Sequence, residues 1–284
     1  MSKRRKRCYL VIGVAIFALL VLWMIWGNTA LELNTYTITG ENLPEAFDGF
    51  RIAHISDLHN TEIGRNNERL LAMLQQAQPD MIAITGDMID SRRTDIAVAL
   101  HFAEEAMKIA PCYYVAGNHE SRVSAYDTLK TGLAVLGVTV LEDAAVPLQR
   151  GSETITLTGV LDPAFQTDDL SGDPRFLMKE KLQELADDAS CFTLLLSHRP
   201  ELFDVYADAG MDLVLSGHAH GGQFRLPFVG GLFAPGQGFF PTYDAGLYTQ
   251  GRTRMIVSRG IGNSILPLRF NNRPEVILIE LKIP

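Results

Sequence analysis

Two hydrophobic rhythms alternate along this chain. Short apolar runs that end in small or polar residues cover 50–56, 81–85, 112–116, 154–158, 192–197, 211–215, 254–258 and 275–282. Their length and their Gly, Asp and His boundaries predict strands. Between several of them, apolar residues recur every third or fourth position, which predicts amphipathic helices over 66–77, 95–109, 123–136 and 174–188. Residues 31–50 read as a strand and turn that joins the sheet, with β-branched residues alternating through Thr35, Thr37 and Thr39. Strands alternating with helices imply an α/β fold. The helix-free connections near 140–160 and 252–282 predict antiparallel additions to it.

The N-terminus breaks both rhythms. Residues 9–26 contain no charge, and as a helix they would span about 27 Å, close to a bilayer's hydrocarbon core. Lys3, Arg4, Arg5, Lys6 and Arg7 precede the run, so the positive-inside rule places the N-terminus in the cytoplasm and the rest outside. Trp23 and Trp26 would then sit at the far interface. The chain is accordingly expected to be a single-pass protein of the cell membrane: a basic stub and anchor over 1–30, and one extracytoplasmic domain over 31–284. A cleaved signal peptide is the alternative, weakened by the length of the run and by the lack of a small-x-small site in residues 27–30. A twin-arginine signal fits poorly because Lys6, Arg7 and Cys8 follow the arginine pair.

Removing the stub sharpens the charge. All 33 acidic residues follow residue 30, so residues 8–284 hold 20 basic against 33 acidic groups, a net of −13. Nucleic acid is therefore not expected as a partner, and a phosphate-bearing substrate must be drawn in by local groups. Three cysteines are too few for a disulfide scaffold. Cys112 and Cys191 each open an apolar stretch, where buried free thiols are common, and a bridge between them depends on geometry.

The polar residues that close the strands carry the chemistry. Asp57, His59, Asp87, Asn118, His198, His218 and His220 all stand at predicted strand C-termini, where open α/β sheets bind ligands. Singly each has an ordinary reading as a turn former or a solvated loop histidine. Together they use four of the seven histidines in the chain, and coincidence becomes a poor account. Carboxylate, amide and imidazole donors without thiolate suit Mn, Fe or Zn. Seven donors are too many for one ion with open positions and suit two ions sharing a carboxylate.

In order, Asp57-x-His59, Gly86-Asp87-x-x-Asp90, Gly117-Asn118-His119-Glu120, His198 and Gly217-His218-x-His220 resemble the signature of the calcineurin-like metallophosphoesterases. The likeness covers about residues 48–284. It is nearest to a membrane-anchored or secreted bacterial branch that continues Gly221-Gly222-Gln223 and carries Ser258-Arg259-Gly260. The resemblance implies a four-layer α/β/β/α sandwich with a dinuclear site on its rim. It implies that Asp57, His59 and His220 hold one ion, that Asn118, His198 and His218 hold the other, and that Asp87 bridges them. His119 is then the histidine that contacts the phosphate or the leaving group. The chemistry implied is in-line attack on phosphorus by a metal-activated hydroxide. Glu120 and Asp90 read as groups that orient ligands or cap helices, and Arg259 and Arg199 as candidate phosphate contacts.

Residues 224–240 are too broken by Gly and Pro for a helix, and aromatic for a loop beside a polar site. Either they fold under as a satellite core, or Phe239 and Phe240 form an apolar wall for substrate or a lip against the membrane. The expected function is a phosphodiesterase or pyrophosphatase at the membrane surface, acting on a phosphate-ester or pyrophosphate substrate, with a lipid-linked phosphate as a candidate. The alternative is a non-catalytic, metal-dependent binder of a cell-envelope phosphate polymer or glycan. A zinc amide hydrolase is disfavoured by the amide Asn118 and by the lack of a His-Glu-x-x-His helix.

Overall fold

The computed structural model describes residues 3–166, 173–185, 191–263 and 268–284. Helix α1 (Lys3–Thr29) passes almost directly into β1 (Glu32–Thr39). A first run follows as β2 (Arg51–Ile55), α2 (Glu68–Ala77), β3 (Met81–Thr85), α3 (Ile96–Met107), β4 (Cys112–Val115), α4 (Tyr126–Val135) and β5 (Thr139–Val140). A second comprises β6 (Ala144–Arg150), β7 (Glu153–Gly159), α5 (Pro174–Glu184), β8 (Thr193–Leu196), α6 (Phe203–Asp208) and β9 (Leu213–Ser216). Four two-residue strands come next: β10 (Arg225–Leu226), β11 (Gly230–Gly231), β12 (Phe233–Ala234) and β13 (Gly238–Phe239). The chain closes with β14 (Gly246–Gln250), β15 (Thr253–Val257) and β16 (Glu275–Lys282).

Local signals account for the helix starts. The Asp95 side chain accepts from the Ala97 N–H at the head of α3, and the Asp173 side chain accepts from the Arg175 N–H at the head of α5, behind Pro174. The last residues of the helix expected over 174–188 lie outside the described residues.

The strands form two six-stranded sheets, ordered β1-β16-β2-β3-β4-β5 and β14-β15-β9-β8-β7-β6. Strands β2 to β5 are parallel, as are β7, β8, β9 and β15. The expected antiparallel additions occur at β6 on β7, β14 on β15 and β16 on β2. Strand β15 departs from that expectation and lies parallel to β9. The reason is β14, which carries the chain back along the sheet so that β15 starts at the same end as β9.

Side chains along one strand divide between two cores with period two. In β3, Met81 and Ala83 face the other sheet, while Ile82 and Ile84 face α2, α3 and α4 through Leu74, Phe102 and Leu129. In β9, Leu213 and Leu215 face the first sheet, while Val214 faces α5 and α6 through Met178, Leu182 and Phe203. Both faces of the central strands are buried, which is why they read as unbroken apolar runs. Three apolar layers separate four structural ones, and the result is an α/β/β/α sandwich.

Helix α1 is long and apolar enough to cross a membrane, and its apolar window is not buried against the rest of the chain. Its last turns are nonetheless fixed. Trp23 meets Phe270 edge-on with ring centroids 4.9 Å apart, and the Arg273 guanidinium lies over Trp26 at 4.7 Å. The Asn28 side chain both donates to the Arg269 carbonyl at 3.1 Å and accepts from the Arg269 N–H at 2.8 Å. All three cysteines are free thiols, so Cys112 and Cys191 are not bridged.

Candidate active site

The loops after β2, β3 and β4 of one sheet and after β8 and β9 of the other meet on one rim. Asp57, His59, Asp87, His218 and His220 all have left-handed backbone, with φ between 46° and 64°. Such conformations cost non-glycine residues about 1–3 kcal/mol each and persist where surrounding bonds impose them. Here the bonds run between motif loops. Asp57 N–H donates to Gly86 O at 3.0 Å, His59 N–H to Asp87 O at 2.9 Å, and Gly262 N–H to Asp57 O at 2.7 Å. Glycine is required where the loops touch: a Cβ on Gly217 would overlap Ser56 Oγ and Asp57 Oδ2, and one on Gly117 would overlap Asp87 Oδ1.

Each buried carboxylate has one oxygen held and one released. Asp57 Oδ2 accepts from Ser56 Oγ–H at 2.6 Å and from His218 N–H at 3.1 Å. That leaves Asp57 Oδ1 toward His220 Nε2 at 3.2 Å and His59 Nε2 at 3.7 Å. Asp87 Oδ1 accepts from His119 N–H at 2.8 Å, and its Oδ2 lies 3.5 Å from His59 Nε2 and 3.3 Å from His198 Nε2. His198 Nδ1 donates to Thr85 O at 2.7 Å, which turns its Nε2 inward, where it meets His218 Nδ1 at 3.1 Å. His218 and His220 stand beyond the end of β9, so they do not share a strand face; one turns toward His198 and the other toward His59 and Asp57. The two groups, Asp57-His59-His220 and Asp87-His198-His218, could each hold an ion, and Asp87 Oδ2 stands between them.

The donor set fits cations. Among the described residues, Asp57 Oδ1 and Asn118 Oδ1 are buried and without hydrogen-bond partners. His59 and His220 bring Nε2 atoms within 3.1 Å of each other, a contact of two lone pairs unless a proton or a cation lies between them. Burial opposes charge on Asp57 and Asp87, yet the facing imidazoles hold both carboxyls well below the usual carboxylate range. Burial also opposes charge on His198, but the Asp87 carboxylate overrides it and pushes the imidazole up to about 10. Burial pushes His218 and His220 down.

His119 also stands within ligand reach of His59 and Asp87, but its Nδ1 accepts from the Ser91 N–H at 3.0 Å. A neutral ring must then carry its proton on Nε2, which makes that atom a donor and unfit to bind a metal. Burial pushes this imidazole down to about 4. Glu120 is fully buried; its Oε2 accepts from Asp87 N–H and Gly117 N–H, each at 2.8 Å, and its Oε1 accepts from Ile89 N–H at 3.2 Å. It therefore braces the Asp87 loop against the Asn118 loop and caps no helix. Burial and the Asp87 carboxylate push it up to about 7. Asp90 pairs with Arg92 at 2.6 Å.

Asp87, Asn118, His119, His218 and His220 line an open cavity of about 330 Å³ together with Ser91, Arg92, Arg122, Arg199, Pro235 and Gly236. Arg199 is there, but its guanidinium is held by Asp162 at 2.7 and 2.9 Å and by Glu201 at 3.4 Å. Arg259 is not among these lining residues; it pairs with Glu275 at 2.8 Å and Glu32 at 3.0 Å beneath the Gly221 turn. The expected aromatic stretch forms two small hairpins, β10–β11 and β12–β13. Pro235 and Gly236 from it reach the cavity, while Phe239 and Phe240 are 71% and 63% exposed, so the two phenylalanines are not folded under. Sequence reasoning missed Ser91, Arg92 and Arg122, whose only signal is their place within five residues of a motif.

A family model for calcineurin-like phosphoesterases matches residues 50–222. Uncharacterized metallophosphoesterase YkuE of Bacillus subtilis is 31% identical over 89% of this chain and 86% of its own length. Phosphodiesterase YaeI of Escherichia coli is 29% identical over 82% of both chains. A zebrafish (Danio rerio) transmembrane protein with a metallophosphoesterase domain is 29% identical over 85% of this chain and 55% of its own. Among solved structures, TT1561 of Thermus thermophilus shares the fold with a TM-score of 0.53, at 12% identity over 75% of this chain and 90% of that one. With its five motif loops gathered on one rim, the chain belongs to the calcineurin-like phosphoesterase family, whose members use a dinuclear metal centre, and is a hydrolase of phosphoester bonds.

Proposed function

We propose that this chain is a membrane-anchored phosphodiesterase or pyrophosphatase whose two ions are divided by Asp87. Asp57, His59 and His220 would hold one ion, Asn118, His198 and His218 the other, with Asp87 Oδ2 between them. The observation that carries the assignment is that Asp87 Oδ2 lies 3.5 Å from His59 Nε2 and 3.3 Å from His198 Nε2, one nitrogen from each ligand group. Two bound divalent ions would supply Lewis-acid polarisation of the phosphoryl group and an activated water nucleophile; Mn, Fe and Zn all suit the donors.

The chain's own groups do the rest. Ser56 and the His218 N–H fix the Asp57 carboxylate, the Thr85 carbonyl fixes the His198 ring, and the His119 N–H fixes Asp87. His119, neutral and protonated on Nε2, donates a hydrogen bond to a phosphoryl or leaving-group oxygen. Arg122 places positive charge along the cavity for a second phosphate or a diester substituent, while the Arg92 guanidinium is held by Asp90.

Residues 1–30 form the cytoplasmic stub and anchor, and residues 31–284 the extracytoplasmic catalytic domain, by the five cationic residues before the apolar run. The membrane-surface reading is supported by where the aromatic hairpins begin. Arg225 N–H donates to Phe270 O at 2.9 Å, and Phe270 packs on Trp23 of α1. The hairpins leave Phe228 fully exposed and Phe239 and Phe240 largely so, which suits a lipid-linked phosphate or pyrophosphate.

The test uses the full chain in lipid vesicles with Mn²⁺. Hydrolysis of bis-p-nitrophenyl phosphate that EDTA abolishes, and that Asp87→Asn loses together with metal content, is the expected result. Near-wild-type turnover in that variant with a full metal complement would sink the ligand assignment. Metal binding without turnover on any phosphodiester or pyrophosphate would favour a phosphate-polymer binder. Phe239→Ser and Phe240→Ser should slow a lipid-linked pyrophosphate more than the soluble diester; equal losses remove the lipid substrate.

A further inference from the structure

A second cavity, of about 310 Å³, lies where α1 meets the sheets. Trp23, Trp26 and other residues of the last turns of α1 line it on one side, and Glu32, Arg259, Arg269 and Arg273 on another. The charges around it are unevenly paired. Arg259 is shared between Glu275 and Glu32, and Arg273 reaches Glu32 only at 3.8 Å. Arg269 is 2% exposed and forms no ion pair among the described residues; its bonds go to Asn263 Oδ1 at 3.0 Å and to the Gly262 carbonyl. Its Nη1 is buried and has no hydrogen-bond partner among the described residues. Of the three guanidiniums Arg269 is the most buried, and among the described residues it alone has no carboxylate in direct contact, Asp57 and Glu275 acting on it only from a distance. A buried cation of this kind calls for an anion.

We propose that this cavity binds the phosphate of an anionic phospholipid headgroup at the end of α1, an inference that rests on α1 spanning a membrane. Guanidiniums match phosphate oxygens in charge and in fork geometry. Tryptophans flank headgroups at membrane interfaces, where one side of the ring is apolar and the other wet. The exposed apolar length of α1 gives the acyl chains a path that a soluble anion would not use. The same segment is tied to the catalytic rim: Ile261 N–H donates to Ser56 O at 3.0 Å, Gly262 N–H to Asp57 O at 2.7 Å, and Asn272 Nδ2 to His220 O at 2.7 Å. A headgroup seated on Arg269 and Arg273 therefore braces the segment that holds the Asp57 and His220 loops, and couples the rim to the bilayer.

The full chain is reconstituted in nanodiscs of phosphatidylcholine mixed with phosphatidylglycerol, and retained lipid is read by native mass spectrometry. One retained phosphatidylglycerol is expected, preferred about tenfold or more over phosphatidylcholine, as charge-assisted bonds give. Arg269→Gln and Arg273→Gln should bring the preference to about parity, while Arg269→Lys, which keeps the charge, should preserve most of it. Equal retention of both lipids by the wild type, or unchanged preference in Arg273→Gln with an unaltered melting temperature, overturns the site. Stabilisation by inorganic phosphate with no phospholipid retained overturns the lipid as its occupant. Whether the chain stays with vesicles through an alkaline wash is scored separately: release strikes the membrane reading, whereas lost lipid preference in a retained chain strikes the cavity alone.

Discussion

Glu120 offers a quantitative test of how the rim is built. Its two oxygens accept three backbone N–H bonds, from Asp87 and Gly117 on Oε2 and from Ile89 on Oε1. Glu120→Gln keeps the shape but replaces one acceptor with an NH₂. With the amide oxygen kept at the two 2.8 Å bonds, the new nitrogen faces the Ile89 N–H at 3.2 Å, donor against donor; the flipped amide is worse, with two such clashes. Losing one bond to a buried acceptor costs about 1–3 kcal/mol. For a domain of this size that lowers the melting temperature by ~3–10 °C. Glu120→Ala removes all three acceptors and leaves a cavity, so about 3–5 kcal/mol is expected. Because the freed loops carry Asp87 and Asn118, metal affinity should fall about 10- to 100-fold in the alanine variant. Thermal melts, metal content after dialysis and kcat on one preparation decide the matter. A glutamine variant that melts within about 1 °C of wild type, or one that loses rate with melting and metal content unchanged, would refute the bracing role.

Three further outcomes follow from single side chains. His119→Ala should keep both ions and lose about 10²–10⁴ in kcat, most for substrates with poor leaving groups; loss of metal in that variant would make His119 a ligand instead. Burial pushes His54 down to about 3, with Nε2 on Thr85 Oγ1. The unfolded chain then takes up a proton below pH 6.5 that the folded one refuses, so this part of the stability is complete above pH 6.5 and lost as pH falls toward 3. Between pH 6.5 and 5 the loss is about 2 kcal/mol relative to His54→Gln, and parallel stability curves for the two proteins would contradict it. Burial pushes the Cys112 thiol up to about 12; maleimide should label it only in denaturant, while half-buried Cys191 reacts in the folded protein, and peptide mapping of native label on Cys112 would count against the packing.

Local patterns foretold most elements because they are local in cause. The runs that became β3, β8 and β9 are apolar on both faces, and the residue after each is forced toward a turn by Gly86, Ser197 or Gly217. Strand β6 carries Pro147, which reads against a strand and is tolerated here because β6 is a sheet edge, and α6 has six residues, too few to show a helical period. The parallel seating of β15 was likewise invisible, since it depends on where β14 returns the chain.

By itself the sequence determined the element types, the apolar α1 and the residence of seven donor residues at strand ends. These depend on periodicity and on turn chemistry, which act over a few residues. Only the tertiary structure decided which donors meet. The stacking of two sheets brings the β8 and β9 loops of one beside the β2, β3 and β4 loops of the other, and backbone N–H groups choose which carboxylate oxygen faces inward. It also separated two arginines that looked alike in the sequence: Arg199 reached the catalytic cavity with its charge largely spent on Asp162, and Arg259 was drawn beneath the rim by Glu275 and Glu32. Charge pairing over 227 residues, as between Glu32 and Arg259, follows from packing and leaves no trace in local pattern.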